Sequence, residues 1–151
     1  MTGRAVAPLL AIASLFAVSL PAGAGAATPR ASLENFLCTP AASQRSRLIE
    51  VTAVMRHIPR TQGMRLRFVL LRRFAGQSWF SPVHGRGLGS WLAPPSATLG
   101  QVPGDTWKLK RPVFNLPGPA VYRFRVTFRW IGSSGVIASQ TRLTPLCAQP
   151  R

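Results

Sequence analysis

Apolar and polar residues alternate along several stretches of this chain. Every second position is apolar in residues 47–55, and the same alternation returns in residues 64–74, with arginines at several of the polar positions. The longest alternating stretch covers residues 120–130, and shorter ones cover residues 106–110 and 136–143. A period of two places successive side chains on opposite faces of a β-strand. The pattern therefore predicts strands that each bury one face.

The apolar positions of three of these strands form the predicted core. The strand over residues 120–130 has the most regular pattern, with aromatic residues or valine on one face and arginine or threonine on the other. Such alternation is typical of a strand that packs against a second sheet. The predicted core residues are Ile49, Val51, Ala53, Met55, Met64, Leu66, Phe68, Leu70, Tyr122, Phe124, Val126, Phe128 and Trp130.

Prolines and glycines separate the strands. They occur in residues 57–63, 116–119 and 132–135, where they predict turns. They are densest in residues 81–104, which can hold only short edge strands, such as one near residues 89–93. Six or more short strands joined by turns predict an all-β fold with one antiparallel β-sandwich. An up-and-down barrel is the alternative architecture.

The N-terminus has the layout of a secretory signal peptide. Arg4 precedes an apolar run over residues 5–20, and a proline and small residues follow. The run is shorter than the roughly twenty residues that cross a bilayer, and residues 24–26 fit the A-x-A cleavage pattern. We therefore expect residues 1–26 to be removed and a secreted, extracellular chain to begin at Ala27, with no transmembrane span in the mature chain. Cleavage two residues earlier and an uncleaved anchor are the alternatives.

Two cysteines, Cys38 and Cys147, lie near opposite ends of the mature chain. In an oxidising compartment an even count of two predicts one disulfide, which would join the N-terminal segment to the C-terminal one. A catalytic thiol or a metal site is the weaker alternative, because there is no C-x-x-C and no histidine near either cysteine in sequence. The predicted organisation is a signal peptide over 1–26, an N-terminal segment over 27–46, a sandwich over 47–147 and a C-terminal tail over 148–151.

Residues 118–126 resemble the sixth strand of immunoglobulin-like domains, where a small residue, any residue and then tyrosine start the strand. Tyr122 occupies the tyrosine position, and the resemblance implies that its hydroxyl bonds back to the backbone at a corner. The whole chain is similar to small secreted immunoglobulin-like proteins of high-GC bacteria. Phe124 and Phe68 stand about where antibody-type domains carry a core cysteine and a tryptophan, so the chain departs from that type. The resemblance covers about residues 47–147 and implies a fold, without implying a function.

Side chains that carry acid–base and metal chemistry are rare in this sequence. The chain has three carboxylates and two imidazoles, namely Glu34, Glu50, Asp105, His57 and His84. No convincing carboxylate pair for glycoside hydrolysis is present, and no G-x-S-x-G motif accompanies a serine for a Ser-His-Asp triad. We therefore predict a non-enzymatic protein with no metal and no other cofactor. The alternative is a small secreted hydrolase or inhibitor that uses the loop of residues 81–104.

Arginine dominates the charge of the chain. There are 19 basic residues and 3 acidic ones, a formal net charge of +16, and the bases are 17 arginines and 2 lysines. Loss of Arg4 with the signal peptide leaves about +15. A GC-rich genome would itself favour arginine over lysine, so codon bias is an alternative explanation. That bias does not explain why aspartate is so scarce.

The arginines of two predicted strands occupy the faces opposite the apolar residues. Arg65 and Arg67 lie in one strand, and Arg123, Arg125 and Arg129 lie in the other. If these strands are neighbours, as the third and sixth strands of an immunoglobulin-like sheet are, the five side chains form one basic stripe. Guanidinium groups suit bidentate contacts with phosphate or carboxylate. We therefore predict that the protein binds an anionic polymer or a cell-envelope surface.

Other partners have weaker support in the sequence. No known nucleic-acid module is present, and the basic and aromatic residues of 107–111 alternate no better than chance, so specific nucleic-acid binding is not expected. A protein partner stays open as an alternative. Among the four tryptophans, Trp107 and Trp130 are assigned to the core, which leaves Trp79 and Trp91 available to stack on sugars.

Overall fold

Nine β-strands and one short 3-10 helix form the described part of the chain, residues 29–151 of a computed structural model. The predicted signal peptide, residues 1–26, lies outside the described residues. Within residues 29–151, no helix has the length and apolar character needed to cross a membrane. The strands are β1 (Ala31–Thr39), β2 (Leu48–Arg56), β3 (Gly63–Phe74), β4 (Ser81–Val83), β5 (Trp91–Leu92), β6 (Thr106–Phe114), β7 (Ala120–Gly132), β8 (Gly135–Leu143) and β9 (Cys147–Gln149), and the 3-10 helix is Gln44–Ser46.

The strands form two antiparallel sheets. Sheet A has the strand order β1-β2-β6, and sheet B has the order β4-β3-β7-β8, with β5 also paired to β3 and β9 also paired to β7. The longest pairing joins β3 to β7 from Gly63 opposite Ile131 to Phe74 opposite Ala120. Buried apolar residues of both sheets belong to one core cluster. The predicted all-β antiparallel sandwich is therefore confirmed.

The predicted core positions of β2, β3 and β7 are all fully buried, each with 0% exposure. Phe68 and Phe124 meet edge to face across the two central strands of sheet B, with ring centroids 6.1 Å apart. Trp107 is also in the core, at 4% exposure. The indole of Trp130 donates its N–H to the carbonyl oxygen of Arg56 at 2.7 Å. This hydrogen bond ties sheet B to sheet A and satisfies the one polar atom of a buried ring.

The N-terminal segment contributes a strand to the sandwich. β1 pairs with β2 along its length, although the pairing register shifts between Glu34 and Leu37. Asn35 lies at this bulge with a positive φ of 51°. A bulge adds a residue to one strand and so changes which residues face the core. The simple alternation of apolar and polar residues breaks at this point, and for that reason it did not predict the strand.

The proline-rich parts of the chain form edge strands. β6 continues beyond the predicted residues 106–110 and passes through Pro112, which is tolerated because β6 lies at an edge of sheet A. In the region of residues 81–104 the structure has only β4 and β5, and β5 falls within the predicted residues 89–93. The long irregular region therefore lies along β3, at one edge of sheet B.

The predicted disulfide joins Cys38 on β1 to Cys147 on β9, with 5.5 Å between the Cα atoms. It links sheet A to sheet B across 109 residues of sequence, which corresponds to about 4 to 5 kcal/mol of stabilisation in the chain-entropy model. Both bridged strands pair with the sheets, so the sandwich spans residues 31–149 and exceeds the predicted limits of 47–147.

Candidate anion-binding face

Strands β3 and β7 are direct neighbours in sheet B, which is the condition that the predicted basic stripe requires. In their register Arg65 lies opposite Arg129, and Arg67 lies opposite Thr127. Farther along, Arg125 and Arg123 lie opposite Val69 and Leu71. The structure therefore brings all five predicted arginines onto two adjacent strands, at positions that alternate with the buried core residues.

The arginines face outward because the core residues face inward. Along β3 and β7 the even-numbered positions from 64 to 70 and from 122 to 130 are fully buried between the sheets. Side chains at the odd-numbered positions therefore project from the outer surface of sheet B. Arg73 is in the same phase, opposite Val121. We call the outer surface of these two strands the arginine face, and its arginines are Arg65, Arg67, Arg73, Arg123, Arg125 and Arg129.

Trp91 anchors one end of the arginine face. It lies on β5, where it pairs with Arg67 of β3. The guanidinium carbon of Arg67 is 4.8 Å from the centroid of the indole, and that of Arg129 is 4.2 Å from it. Distances below about 6 Å are those of cation–π contacts. One tryptophan therefore holds two arginines that come from different strands.

Phe80 likewise contacts two arginines, toward the other end of the arginine face. It immediately precedes β4, and the guanidinium carbons of Arg73 and Arg123 lie 5.0 Å and 4.5 Å from the centroid of its ring. The four arginines held by aromatic rings are half-buried, whereas Arg65 and Arg125 are exposed. The face thus combines four guanidinium groups positioned by aromatic rings with two exposed ones, of which that of Arg65 donates a hydrogen bond to the carbonyl oxygen of Met64 at 3.0 Å.

Two of the positioned arginines have unused hydrogen-bond donors. The Nε atoms of Arg67 and Arg123 are buried and have no hydrogen-bond partner within the described residues. Each guanidinium also lies over an aromatic ring, and a group stacked on a ring keeps its N–H donors at its edge. The buried Nε–H groups are out of reach of an anion in solvent, so a phosphate or carboxylate oxygen would be met by the other N–H groups of each fork.

The carboxylates of the described residues lie away from the arginine face. Glu34 contacts Arg56 at 3.8 Å and Lys108 at 3.7 Å, and Glu50 contacts Lys110 at 2.7 Å, all of them on sheet A. These are the ion pairs within residues 29–151, and none of them includes an arginine of the face. Among residues 29–151, no acidic side chain therefore neutralises the positive charge of the face.

The third carboxylate, Asp105, organises a loop. Its Oδ2 atom accepts the backbone N–H groups of Gly100 at 2.8 Å and Val102 at 3.2 Å. These two hydrogen bonds, together with the charge of His57 nearby, hold the pKa of Asp105 below its ordinary value, although partial desolvation opposes the shift. The ring of His57 contacts the carbonyl oxygen of Gly100 through Nδ1 at 2.8 Å. Asp105 and His57 thus shape the turn that precedes β6.

His84 lies in a different place from Asp105. It lines a cleft beside β4 together with Arg72 and Arg86, and none of the described residues that line this cleft is an acid. The imidazole beside Asp105 is that of His57. Within residues 29–151, no group of three His, Cys, Asp or Glu side chains is arranged to hold a metal ion.

Sequence reasoning missed Arg73, Phe80 and the role of Trp91. Arg73 has a detectable signal, since it continues the alternation of Arg65 and Arg67 along the same strand. Phe80 and Trp91 have no periodic signal, because Phe80 immediately precedes the irregular region and Trp91 lies within it. Both reach the face only through the way that region folds back on β3. Comparison of the chain with models of protein families, with curated proteins and with solved structures finds no match.

Proposed function

We propose that this protein is a secreted, non-enzymatic, immunoglobulin-like module that binds anionic polymers of the cell envelope through the arginine face. The observation that carries the proposal is the neighbouring position of β3 and β7, which sets Arg65 opposite Arg129 with no carboxylate of the face between them. Like charges opposite each other in a sheet are destabilising. A bound external anion would relieve the repulsion between these two arginines, and the relief would contribute to the affinity.

The immunoglobulin-like part of the proposal is supported by strand order. One sheet has the order β1-β2-β6, and the other places β3, β7 and β8 side by side with β4 at the edge. The third and sixth strands of an immunoglobulin-like sandwich are neighbours in the same way. The hydroxyl of Tyr122 also donates a hydrogen bond to the carbonyl oxygen of Pro117 at 2.7 Å, which is the contact that the tyrosine corner requires.

Secretion is supported by two independent features. The N-terminal sequence has the charge, apolar run and small residues of a signal peptide. The disulfide between Cys38 and Cys147 is of the kind that forms and persists in oxidising compartments. An extracellular location would bring the arginine face into contact with the phosphate- and carboxylate-rich polymers of an envelope.

Codon bias alone does not account for the arrangement of the charges. A bias toward arginine explains why exposed arginines also occur elsewhere on the molecule, but it does not explain why four arginines of one face share two aromatic rings. The acidic side chains meanwhile pair with cations of sheet A or cap a loop. The irregular region of residues 81–104, the basis of the alternative enzymatic function, contributes Trp91 to this surface. These contacts favour a surface built for binding.

The test is a binding series with the oxidised mature protein. An anionic polymer with phosphate groups and one with carboxylate groups are titrated at increasing salt, with a neutral polymer as reference. We expect affinity for the anionic polymers to fall linearly on a plot of log K against log salt, as release of bound counterions requires. A variant with Arg65→Glu and Arg125→Glu should lose at least tenfold in affinity and show a shallower slope, and both side chains are exposed, so folding should be unaffected.

A matched control separates the face from total charge. The variant with Arg45→Glu and Arg151→Glu changes the net charge by the same amount at two exposed positions outside sheet B. It should keep most of the affinity of the parent. Equal losses in the two variants, or no salt-dependent binding by the parent, would contradict the proposed function.

A further inference from the structure

A second cationic site lies on the core side of sheet B. A cleft of about 350 Å³ opens where the edge of sheet A formed by β6 faces β4 and the loop that follows it. Arg72 lines this cleft, whereas its neighbour Arg73 belongs to the arginine face. Since adjacent residues of a strand point to opposite sides of the sheet, the cleft and the arginine face are separate surfaces.

The floor of the cleft is apolar. Val83 on β4, Leu88 in the loop and Val113 on β6 are partly buried and pack against the core, and Leu116 is fully part of it. Phe114 adds a ring at the margin that is 59% exposed. The cleft therefore offers a continuous apolar surface between the two sheets to a ligand that can enter from solvent.

The margin of the cleft is positively charged. Arg72 is half-buried, with its guanidinium carbon 4.1 Å from the centroid of the Phe74 ring, while His84 and Arg86 are exposed. The charge of Arg72 also acts on the hydroxyl of Tyr122 and favours the ionised form of that hydroxyl. None of the thirteen lining residues is acidic. The cleft thus favours a ligand whose negative charge lies at this margin.

We propose that the cleft binds a small amphiphilic anion, namely a single alkyl chain that ends in a carboxylate. The apolar floor accommodates the chain, and Arg72 and Arg86 receive the carboxylate. The volume is at the small end of the range for small-molecule sites, so the cleft suits a compact ligand and not a polymer. This second site is independent of the arginine face and adds a distinct ligand class to the proposed function.

The test measures how affinity depends on chain length. The oxidised mature protein is titrated by calorimetry with butanoate, hexanoate, octanoate and decanoate, and with octanol as the uncharged reference. We expect affinity to rise about two- to fourfold per added CH₂ group, because each methylene that leaves water contributes to binding. The rise should stop when the chain exceeds the cleft. Octanol should bind at least threefold more weakly than octanoate because it lacks the charge.

Methyl resonances locate the binding site. With octanoate, the largest chemical-shift changes in an NMR titration should fall on Val83, Leu88 and Val113, which lie in the floor. The methyl groups of Val136 and Ile137, on the opposite edge strand β8, should not move. Changes spread over exposed apolar residues of β8 would overturn the assignment to the cleft.

Two variants separate this proposal from the proposed function. Arg86→Glu reverses an exposed charge of the margin and should lower the affinity for octanoate at least threefold while leaving polymer binding intact. The variant with Arg65→Glu and Arg125→Glu should lower the affinity for the polymer and leave the affinity for octanoate unchanged. Leu88→Asp, which places a charge on the floor, should abolish the dependence on chain length.

The cleft proposal and the proposed function can each be contradicted separately. Affinity that does not depend on chain length, or octanoate binding that survives both Arg86→Glu and Leu88→Asp in folded protein, would overturn the cleft proposal. Loss of polymer binding in the Arg86→Glu variant would instead contradict the assignment of polymers to the arginine face.

Discussion

Arg65 on β3 and Arg129 on β7 lie directly opposite each other, so that two positive side chains occupy one cross-strand pair. Opposite like charges lower the stability of a sheet by a few tenths of a kcal/mol to about 1 kcal/mol. Sheet A shows the contrasting arrangement, since Glu50 lies 2.7 Å from Lys110 there. The chain thus pairs opposite charges on sheet A and places like charges opposite each other on sheet B.

The Arg65→Gln substitution should therefore stabilise the fold. It removes one of the two opposed charges, and we expect the free energy of unfolding to rise by about 0.5 kcal/mol at low salt and the gain to vanish at high salt as screening takes over. Urea denaturation at the two salt concentrations measures it. Arg45→Gln, at an exposed position without a cross-strand partner, serves as the control and should change nothing. Destabilisation by Arg65→Gln at low salt would contradict the interpretation.

Arg47 is a buried arginine with a structural role. It is 3% exposed, and its guanidinium donates to backbone carbonyl oxygens at four positions. These acceptors are Ala41 at 2.7 Å, Ala42 at 3.0 Å, Arg151 at 3.1 Å and Leu116 at 3.4 Å. One side chain therefore fastens the segment before β2, the turn before β7 and the C-terminal residue.

Replacement of Arg47 by methionine should be strongly destabilising. Methionine keeps the apolar stem but leaves several partly buried carbonyl groups without donors, and we expect the free energy of unfolding to fall by about 3 kcal/mol. Arg45→Met, at an exposed position of the 3-10 helix two residues away, is the matched control and should stay within about 0.5 kcal/mol of the parent. Similar stabilities for the two variants would show that the network around Arg47 contributes little.

Alternation of apolar and polar residues predicted most of the fold because the core strands follow it without interruption. The even-numbered positions of β7 from Tyr122 to Trp130 are all fully buried, as the pattern requires. β1 escaped prediction because the bulge at Asn35 shifts the phase halfway along the strand. The strand order could not be derived from periodicity, since pairing of β3 with β7 depends on contacts between residues far apart in sequence.

The candidate sites were predictable to different extents. The arginines of the face are visible in the sequence because they occupy the polar phase of two alternating strands. Phe80 and Trp91 are not, because a region without periodicity carries them onto the face. The cleft was also beyond sequence reasoning, since it forms only where the margin of one sheet meets a loop of the other.

Ionisation of Tyr122 should make the stability of the fold depend on pH in the alkaline range. Burial raises the pKa of Tyr122 above the ordinary value of 10.0, and the charges of Arg72 and Arg47 offset part of that rise. A pKa that is higher in the folded state means that the folded protein holds its proton more tightly than the unfolded chain. The stabilising contribution is complete below about pH 10 and is lost as the pH rises through the pKa of the folded state.

The Tyr122→Phe variant tests both properties of this side chain. It should lower the free energy of unfolding at neutral pH by about 1 kcal/mol, because the hydrogen bond to Pro117 is lost while the ring packing stays. In the parent, tyrosinate absorbance should appear above pH 10, and the assignment is unambiguous because the chain has one tyrosine. Ionisation below pH 10 in the folded protein would contradict the effect of burial.

Asp105 should stabilise its loop locally and in a pH-dependent way. Its pKa is lowered, mainly by the N–H groups of Gly100 and Val102, so its contribution is present above about pH 3.8 and is lost as the pH falls through the lower pKa of the folded state. Asp105→Ala should speed hydrogen exchange at these two amides, and Asp105→Asn, which keeps one acceptor oxygen, should have the smaller effect. Unchanged exchange in Asp105→Ala would show that the loop holds its shape without the carboxylate.

Trp91 allows a test of whether the arginine face acts by position or only by net charge. Trp91→Ala leaves the net charge unchanged but removes the ring that holds Arg67 and Arg129. Cation–π contacts at such sites are worth about 0.5 to 1 kcal/mol each, so we expect the affinity for an anionic polymer to fall about three- to tenfold. The slope of log K against log salt should stay the same, because the number of charges that meet the polymer is unchanged.

Trp79→Ala is the matched control for this prediction. Trp79 is 62% exposed and is not among the rings with an arginine over them in residues 29–151, so its loss should leave affinity within twofold of the parent. A purely electrostatic surface would tolerate both substitutions equally. If Trp91→Ala binds as tightly as Trp79→Ala, the aromatic rings do not position the guanidinium groups for binding, and charge alone accounts for the affinity. If only Trp91→Ala lowers the affinity, the ring that the irregular region places over β3 contributes to polymer binding by positioning the arginines.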